Sequence, residues 1–200
     1  MATFSGHKHH PASLWKFPGR LAVLLFFCLS LAKSFAHDPT ELTTGVYLRN
    51  DCLEVRVTVA AQTVLRLLAA DGQSVAALSS SADVDRARSA LNACAAGLFR
   101  VSAAGKLLTA QETNVTLSVE DHIEMKLVYP RPEPGLLRLD AVHLKKLPAD
   151  EPYGAVVTAV DMGTKVFLAQ KLLKADDPSL ELKTPPAPPA NSTAPAAKPR

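Results

Sequence analysis

The chain has 200 residues, 48% of them hydrophobic, 20% charged and 6% aromatic, with three Cys and a formal net charge of +3. That length suits one ordinary domain with extensions and excludes two large ones. The composition is globular, which excludes a disordered, collagen-like or disulfide-dense chain. The averages are distorted by both ends, and the elements in chain order show how.

Residues 1–20 carry Lys8, Lys16 and Arg20 and no acid, and Leu21–Ala32 is an unbroken run of apolar and small residues. Small Ser34 and Ala36 then flank Phe35. This order of charge, apolar stretch and small residues predicts a cleavable secretory signal over 1–36, cut after Ala36. The competing reading is an uncleaved anchor, but a spanning helix needs roughly 20 apolar residues. No second apolar run is long enough to cross a bilayer. Beyond Ala36 the balance is 18 Lys/Arg against 19 Asp/Glu, and over 37–182 it is 15 against 19, a charge of −4. Clustered cations drive sequence-independent nucleic-acid binding, so no nucleic-acid partner is expected. Trp15 and five of the seven Phe lie in 1–36, which leaves few aromatic platforms for bases.

From Glu41 the period is two. Leu42, Thr44, Val46 and Leu48 alternate with Thr43, Gly45, Tyr47 and Arg49; Asn50-Asp51 turns the chain; Leu53, Val55, Val57 and Val59 alternate with Glu54, Arg56, Thr58 and Ala60. That pattern predicts a hairpin of half-buried strands. A helical insertion follows over about 63–97. Thr63–Ala70 is a short Leu-rich helix ending near Asp71-Gly72. A second helix is capped within Ser79-Ser80-Ser81 and carries Asp83 and Asp85 in its first turn. Its buried stripe is Val84, Ala87, Leu91, Cys94 and Ala95, and Gly97 stops it.

Strands resume at Phe99 and Val101, with a turn at Ala104-Gly105 before Leu107-Leu108. Val115, Leu117 and Val119 alternate, as do Ile123, Met125, Leu127 and Tyr129 against His122, Glu124, Lys126 and Val128. Pro130–Gly135 is a loop, Leu137, Leu139 and Ala141 begin a strand, and Pro148–Pro152 is a loop. Val156–Val160 and Val166–Leu173 form a closing hairpin around Asp161-Met162-Gly163. Eight or nine strands at this spacing predict a mainly β, immunoglobulin-like antiparallel sandwich over 37–182. Lys183–Arg200, with six Pro, is expected to be an extended, mobile tail. Asn114-Val115-Thr116 and Asn191-Ser192-Thr193 match the glycosylation acceptor pattern.

Beyond the signal two Cys remain, Cys52 and Cys94. In an exported chain an even pair is expected to form one disulfide, worth roughly 4 kcal/mol in the chain-entropy model. Two separate buried thiols are the alternative. Without C-x-x-C spacing there is no redox or zinc signal.

The chain contains no H-E-x-x-H, no G-x-S-x-G, no Gly-rich phosphate loop and no EF-hand ligand series. No catalytic residue is therefore assigned and the chain is read as not an enzyme; an envelope enzyme with a dispersed site is the residual alternative. Histidine offers one sharper idea. Cleavage after Ala36 makes His37 the N-terminus, where its α-amino group and imidazole can chelate one metal. Nitrogen ligands of this kind suit copper, nickel or zinc, and copper or nickel is the expected ion. His122 and Glu124, two apart on one strand, point the same way and could complete the site. The plainer readings are a frayed terminus for His37 and a solvated strand face for His122 and Glu124. His143 reads as a surface or strand-end residue.

Ala36-His37-Asp38-Pro39, then Leu53-Glu54-Val55-Arg56-Val57-Thr58, Pro134-Gly135-Leu136-Leu137-Arg138, Leu147-Pro148 and the final Val/Leu-rich hairpin follow one another in an order with a precedent. It resembles the extracytoplasmic N-terminal domain of HupE/UreJ-like membrane proteins over about 37–176. The resemblance implies an exported β-rich domain that precedes several membrane helices in proteins linked to nickel or other metal transport. Here a Pro/Ala tail stands where those helices are expected, so transport itself is not implied. Calcium is not implied either, because Asp71-Gly72-Gln73-Ser74 lacks the ligands. The expectation is an exported accessory or binding module, periplasmic where there is an outer membrane and extracellular otherwise, working beside a membrane protein of a metal transport system. A small metal carrier using His37 is the alternative.

Overall fold

The computed structural model describes residues 41–118 and 121–186. The first hairpin forms as its alternation requires, with β1 (Glu41–Leu48) antiparallel to β2 (Cys52–Ala60) and Leu48 opposite Leu53. The helical insertion is two helices, α1 (Ala61–Ala70) and α2 (Ser81–Ala96). The Ser80 hydroxyl caps α2 by accepting the Asp83 amide at 3.2 Å, satisfying one of the donors a helix start leaves unpaired. Then come β3 (Phe99–Ala103), β4 (Lys106–Leu107), β5 (Glu112–Leu117), β6 (His122–Pro130) and β7 (Gly135–Ala141). A 3₁₀ turn (Val142–Lys145) leads to β8 (Gly154–Asp161), β9 (Val166–Leu173) and β10 (Ser179–Thr184).

These strands make two sheets, in the orders β5-β6-β2-β1-β8-β9 and β10-β7-β3-β4. The fold is mainly β, a two-sheet sandwich with a helical insertion. One pair departs from the antiparallel expectation: β1 and β8 run parallel, with Leu42 beside Ala155 and Leu48 beside Asp161. A hairpin forces its two strands to be antiparallel, whereas β8 reaches β1 after a long crossover and carries no such constraint. The final strand also departs from the expected boundary. Leu180, Leu182 and Thr184 are buried and alternate with exposed Glu181 and Lys183, so β10 runs two residues past 182. Residues 187–200 lie outside the described residues.

The core lies between the sheets and under the helices. β6 is the clearest case: Ile123, Met125, Leu127 and Tyr129 are buried and the residues between them are not. In register with them stand Leu53, Val55, Val57 and Val59 of β2. The second sheet contributes Val101, Leu137, Leu139 and Leu180, and the helices Val64, Leu67, Leu68 and Leu91. Each fully buried aliphatic side chain of this kind contributes about 1.5–3 kcal/mol relative to exposure. No helix among the described residues is long and apolar enough to cross a membrane.

Candidate functional site

The outer face of the six-stranded sheet carries the sequence-predicted metal residues. Glu124 is opposite Thr58, and His122 opposite Ala60, so the two share a face as two-residue spacing requires. Glu124 lies 3.9 Å from Arg56. Their neighbours form a chain of ion pairs. Glu54, only 4% exposed, receives Arg49 at 2.9 Å and also bonds Arg56, while Lys126 is 3.8 Å from Glu112. Burial drives the Glu54 carboxyl upward, but the Arg49 and Arg56 hydrogen bonds outweigh it and hold the group below its ordinary value. Tyr47 folds its ring over Gly45, the residue opposite Arg56. The Arg56 guanidinium lies 5.9 Å from that ring. Among the described residues no three His, Cys, Asp or Glu converge on a metal-sized site. His37 lies outside the described residues.

Cys52 and Cys94 stand as free thiols in the structure. Strand parity sets their surroundings apart. Cys52 falls with Glu54 and Arg56 on the outer face, whereas Cys94 is buried in the core with Leu91 and Ala95, its charged neighbours Asp71 and Lys146. Burial pushes the Cys94 thiol up to about 11, and burial followed by Asp51 raises Cys52. Both are protonated thiols at neutral pH.

His143 is 1% exposed rather than on the surface. The 3₁₀ turn carries it inward, where its Nδ1–H donates to the Leu98 carbonyl at 2.7 Å and its ring meets Phe99 edge-on at 5.2 Å. Since a carbonyl only accepts, this bond fixes the tautomer and leaves Nε2 as an acceptor. That atom is buried without a partner.

Two features escaped the sequence reading. The first is the exposed edge and bulge of the β8–β9 hairpin, whose strands and turn follow the sequence expectation. At its tip the Asp161 carboxylate accepts the Gly163 amide at 2.9 Å and the Thr164 hydroxyl at 2.8 Å. Beyond that tip β9 is an edge strand, with Phe167 59% exposed beside Val160 and Leu172 exposed beside Val156; Met162 and Val166 are exposed too. A register shift opposite Ala159 and Val160 leaves Leu168 as the extra residue of a bulge. From Met162 to Lys174 the hairpin carries Lys165, Lys171 and Lys174 and no acid, but Lys171 is paired with Asp177 at 2.8 Å and the Lys174 backbone pairs with that of Asp177 at 3.1 Å. The other edge of the sheet is covered: α2 packs along β5, and Arg88 reaches the Val115 carbonyl at 3.5 Å. The interrupted alternation at Val166-Phe167-Leu168 was the available sequence signal.

The second feature is a groove of about 370 Å³, lined by Phe99, Arg100, Leu107, Leu108, Tyr129 and Val142 among others. It joins the β3–β4 hairpin and the segment after it to Tyr129 of β6 and Val142 of the 3₁₀ turn, so no local pattern announces it.

No family model and no curated protein matches the chain. The HupE/UreJ-like resemblance therefore stands on the short motifs that suggested it.

Proposed function

We propose that the chain is an exported, non-catalytic accessory module that docks on a membrane-associated partner by accepting an extended, acid-bearing segment along β9. The observation that supports this reading is the open β9 edge. Exposed sheet edges are normally shortened, covered or blunted, because their free N–H and C=O groups pair with any available strand. The β5 edge is covered by α2, whereas β9 ends the sheet with Val166, Phe167 and Leu172 exposed, β10 approaching it through the Lys171–Ser179 bond. Strand addition takes its affinity from backbone pairing and its selectivity from alternate side chains. Lys165 and Lys174 at the ends of an acid-free strand favour an acidic partner. A lipid surface is disfavoured, since hydrocarbon cannot satisfy the edge groups.

Purification of the tagged chain from membranes tests the reading. One membrane protein is expected to accompany the wild type and to be lost with Phe167→Asp, while Thr116→Ala on the far side of the same sheet retains it. Equal recovery with all three chains contradicts docking at β9.

A further inference from the structure

We infer that the groove bounded by Phe99, Leu107, Leu108 and Tyr129 is a binding site for a small apolar molecule bearing one carboxylate, with Arg100 in its lining. The inference stands apart from docking at β9 and uses none of its residues.

Three independent features converge there. The walls are apolar: Phe99, Leu108 and Val142 line the groove, and Leu107 beside them is 64% exposed. An uncovered leucine facing a concave apolar surface gains from any occupant that removes it from water. A volume of about 370 Å³ lies within the range of small-molecule sites, roughly 300–1,000 Å³.

Tyr129 supplies the second feature. Its side chain comes from the inner face of β6 and is only 3% exposed, yet its hydroxyl bonds to no described residue. The hydroxyl is not one of the fully buried unpartnered atoms among the described residues, and Tyr129 lines the groove, so an occupant can reach it. Burial pushes this hydroxyl up to about 12, so it remains a neutral donor at physiological pH. A wholly hydrocarbon occupant leaves that donor unpaired; an occupant with an oxygen does not.

Arg100 is the third. It sits on β3 opposite Asp140, but the Asp140 carboxylate is engaged by Arg138 at 2.9 Å and by the Ser179 hydroxyl at 2.5 Å. Arg100 has no carboxylate within 4 Å among the described residues, although, against burial, its charge helps to hold the Asp140 carboxyl below its ordinary value. A guanidinium lining an apolar groove, with Asp140 hydrogen-bonded to Arg138 and Ser179 rather than to it, favours an anionic head group.

Calorimetric titration of the full chain with decanoate, with decanol as the head-group control and butyrate as the chain control, tests this site. Saturable one-to-one binding of decanoate is expected, with butyrate silent. Arg100→Gln is expected to weaken decanoate at least about tenfold and to leave decanol unchanged. Tyr129→Phe, which preserves the ring in the core, is expected to weaken decanoate severalfold, and Phe167→Asp to change nothing. Absence of saturable binding overturns the inference. So does decanoate binding that Arg100→Gln and Tyr129→Phe leave intact, or that only Phe167→Asp removes, since that marks adhesion to the exposed hairpin. Failure of the wild-type chain to recover any partner, with decanoate binding intact, counts against β9 docking alone.

Discussion

The Nδ1–H of His143 donates to the carbonyl oxygen of Leu98 at 2.7 Å, in a position where the imidazole is 1% exposed. Burial, reinforced by nearby Lys146 and only partly opposed by the Leu98 bond, pulls this histidine from 6.5 down to about 4. The unfolded chain therefore binds a proton that the folded chain does not between those values, and stability falls as pH drops from about 6.5 to 4. The full effect is about 3 kcal/mol. Urea unfolding at pH 7, 6 and 5 reads it. His143→Asn, which keeps a donor toward Leu98, is expected to be less stable at pH 7 and to lose most of the slope. A wild-type stability that is flat from pH 7 to 5 contradicts the buried neutral imidazole.

Glu54 gives the opposite sign in a lower window. Its folded carboxyl is held below its ordinary value, so the associated stability is present above about pH 4.5 and is lost as pH falls through the folded value. Glu54→Gln is expected to cost about 1–3 kcal/mol at pH 7, because it leaves Arg49 and Arg56 without their shared anion. The difference from wild type is expected to shrink by pH 3. A constant difference at both pH values means that shape, not charge, sets the cost.

Thiol counting addresses Cys52 and Cys94. Without reductant, both are expected to be alkylated in denaturant, with Cys52 modified before buried Cys94 under native conditions. Mass spectrometry that finds neither modified until reductant is added establishes the bridge instead.

The metal proposal depends on His37, since His122 and Glu124 bring no third ligand from the described residues. Copper and nickel titrations of the exported protein and its His37→Ala variant separate the cases. A stoichiometric site lost in the variant supports the carrier; equally weak binding in both ends it.

Much of the fold was legible because it is local. The alternation in β1, β2 and β6 set which side chains face inward, and Ser80 with Asp83 marked the start of α2. What was missed is non-local or breaks the pattern. The parallel pairing of β1 with β8 joins strands more than a hundred residues apart, and no window of sequence carries that register. The alternation of Leu180 and Leu182 was readable, but the Pro-rich stretch that follows drew the boundary too early. The parity of Cys52 was also readable: it falls with Glu54 and Arg56, opposite to Leu53 and Val55, and so points away from the helices. His143 had no signal, because a 3₁₀ turn buries it without period. Of the candidate sites, the shared face of His122 and Glu124 followed from spacing, whereas the groove and the β9 edge follow from assembly.

The docking reading is tested most directly by placing a photo-crosslinking side chain at Phe167 and, as a control, at Asn114 on β5, then irradiating intact cells. A single discrete adduct from position 167 is expected, mapping to an extended acid-bearing segment of one membrane protein, with none from position 114. Matching diffuse adducts from both positions, or an adduct from 114 alone, would contradict β9 as the edge that receives the partner.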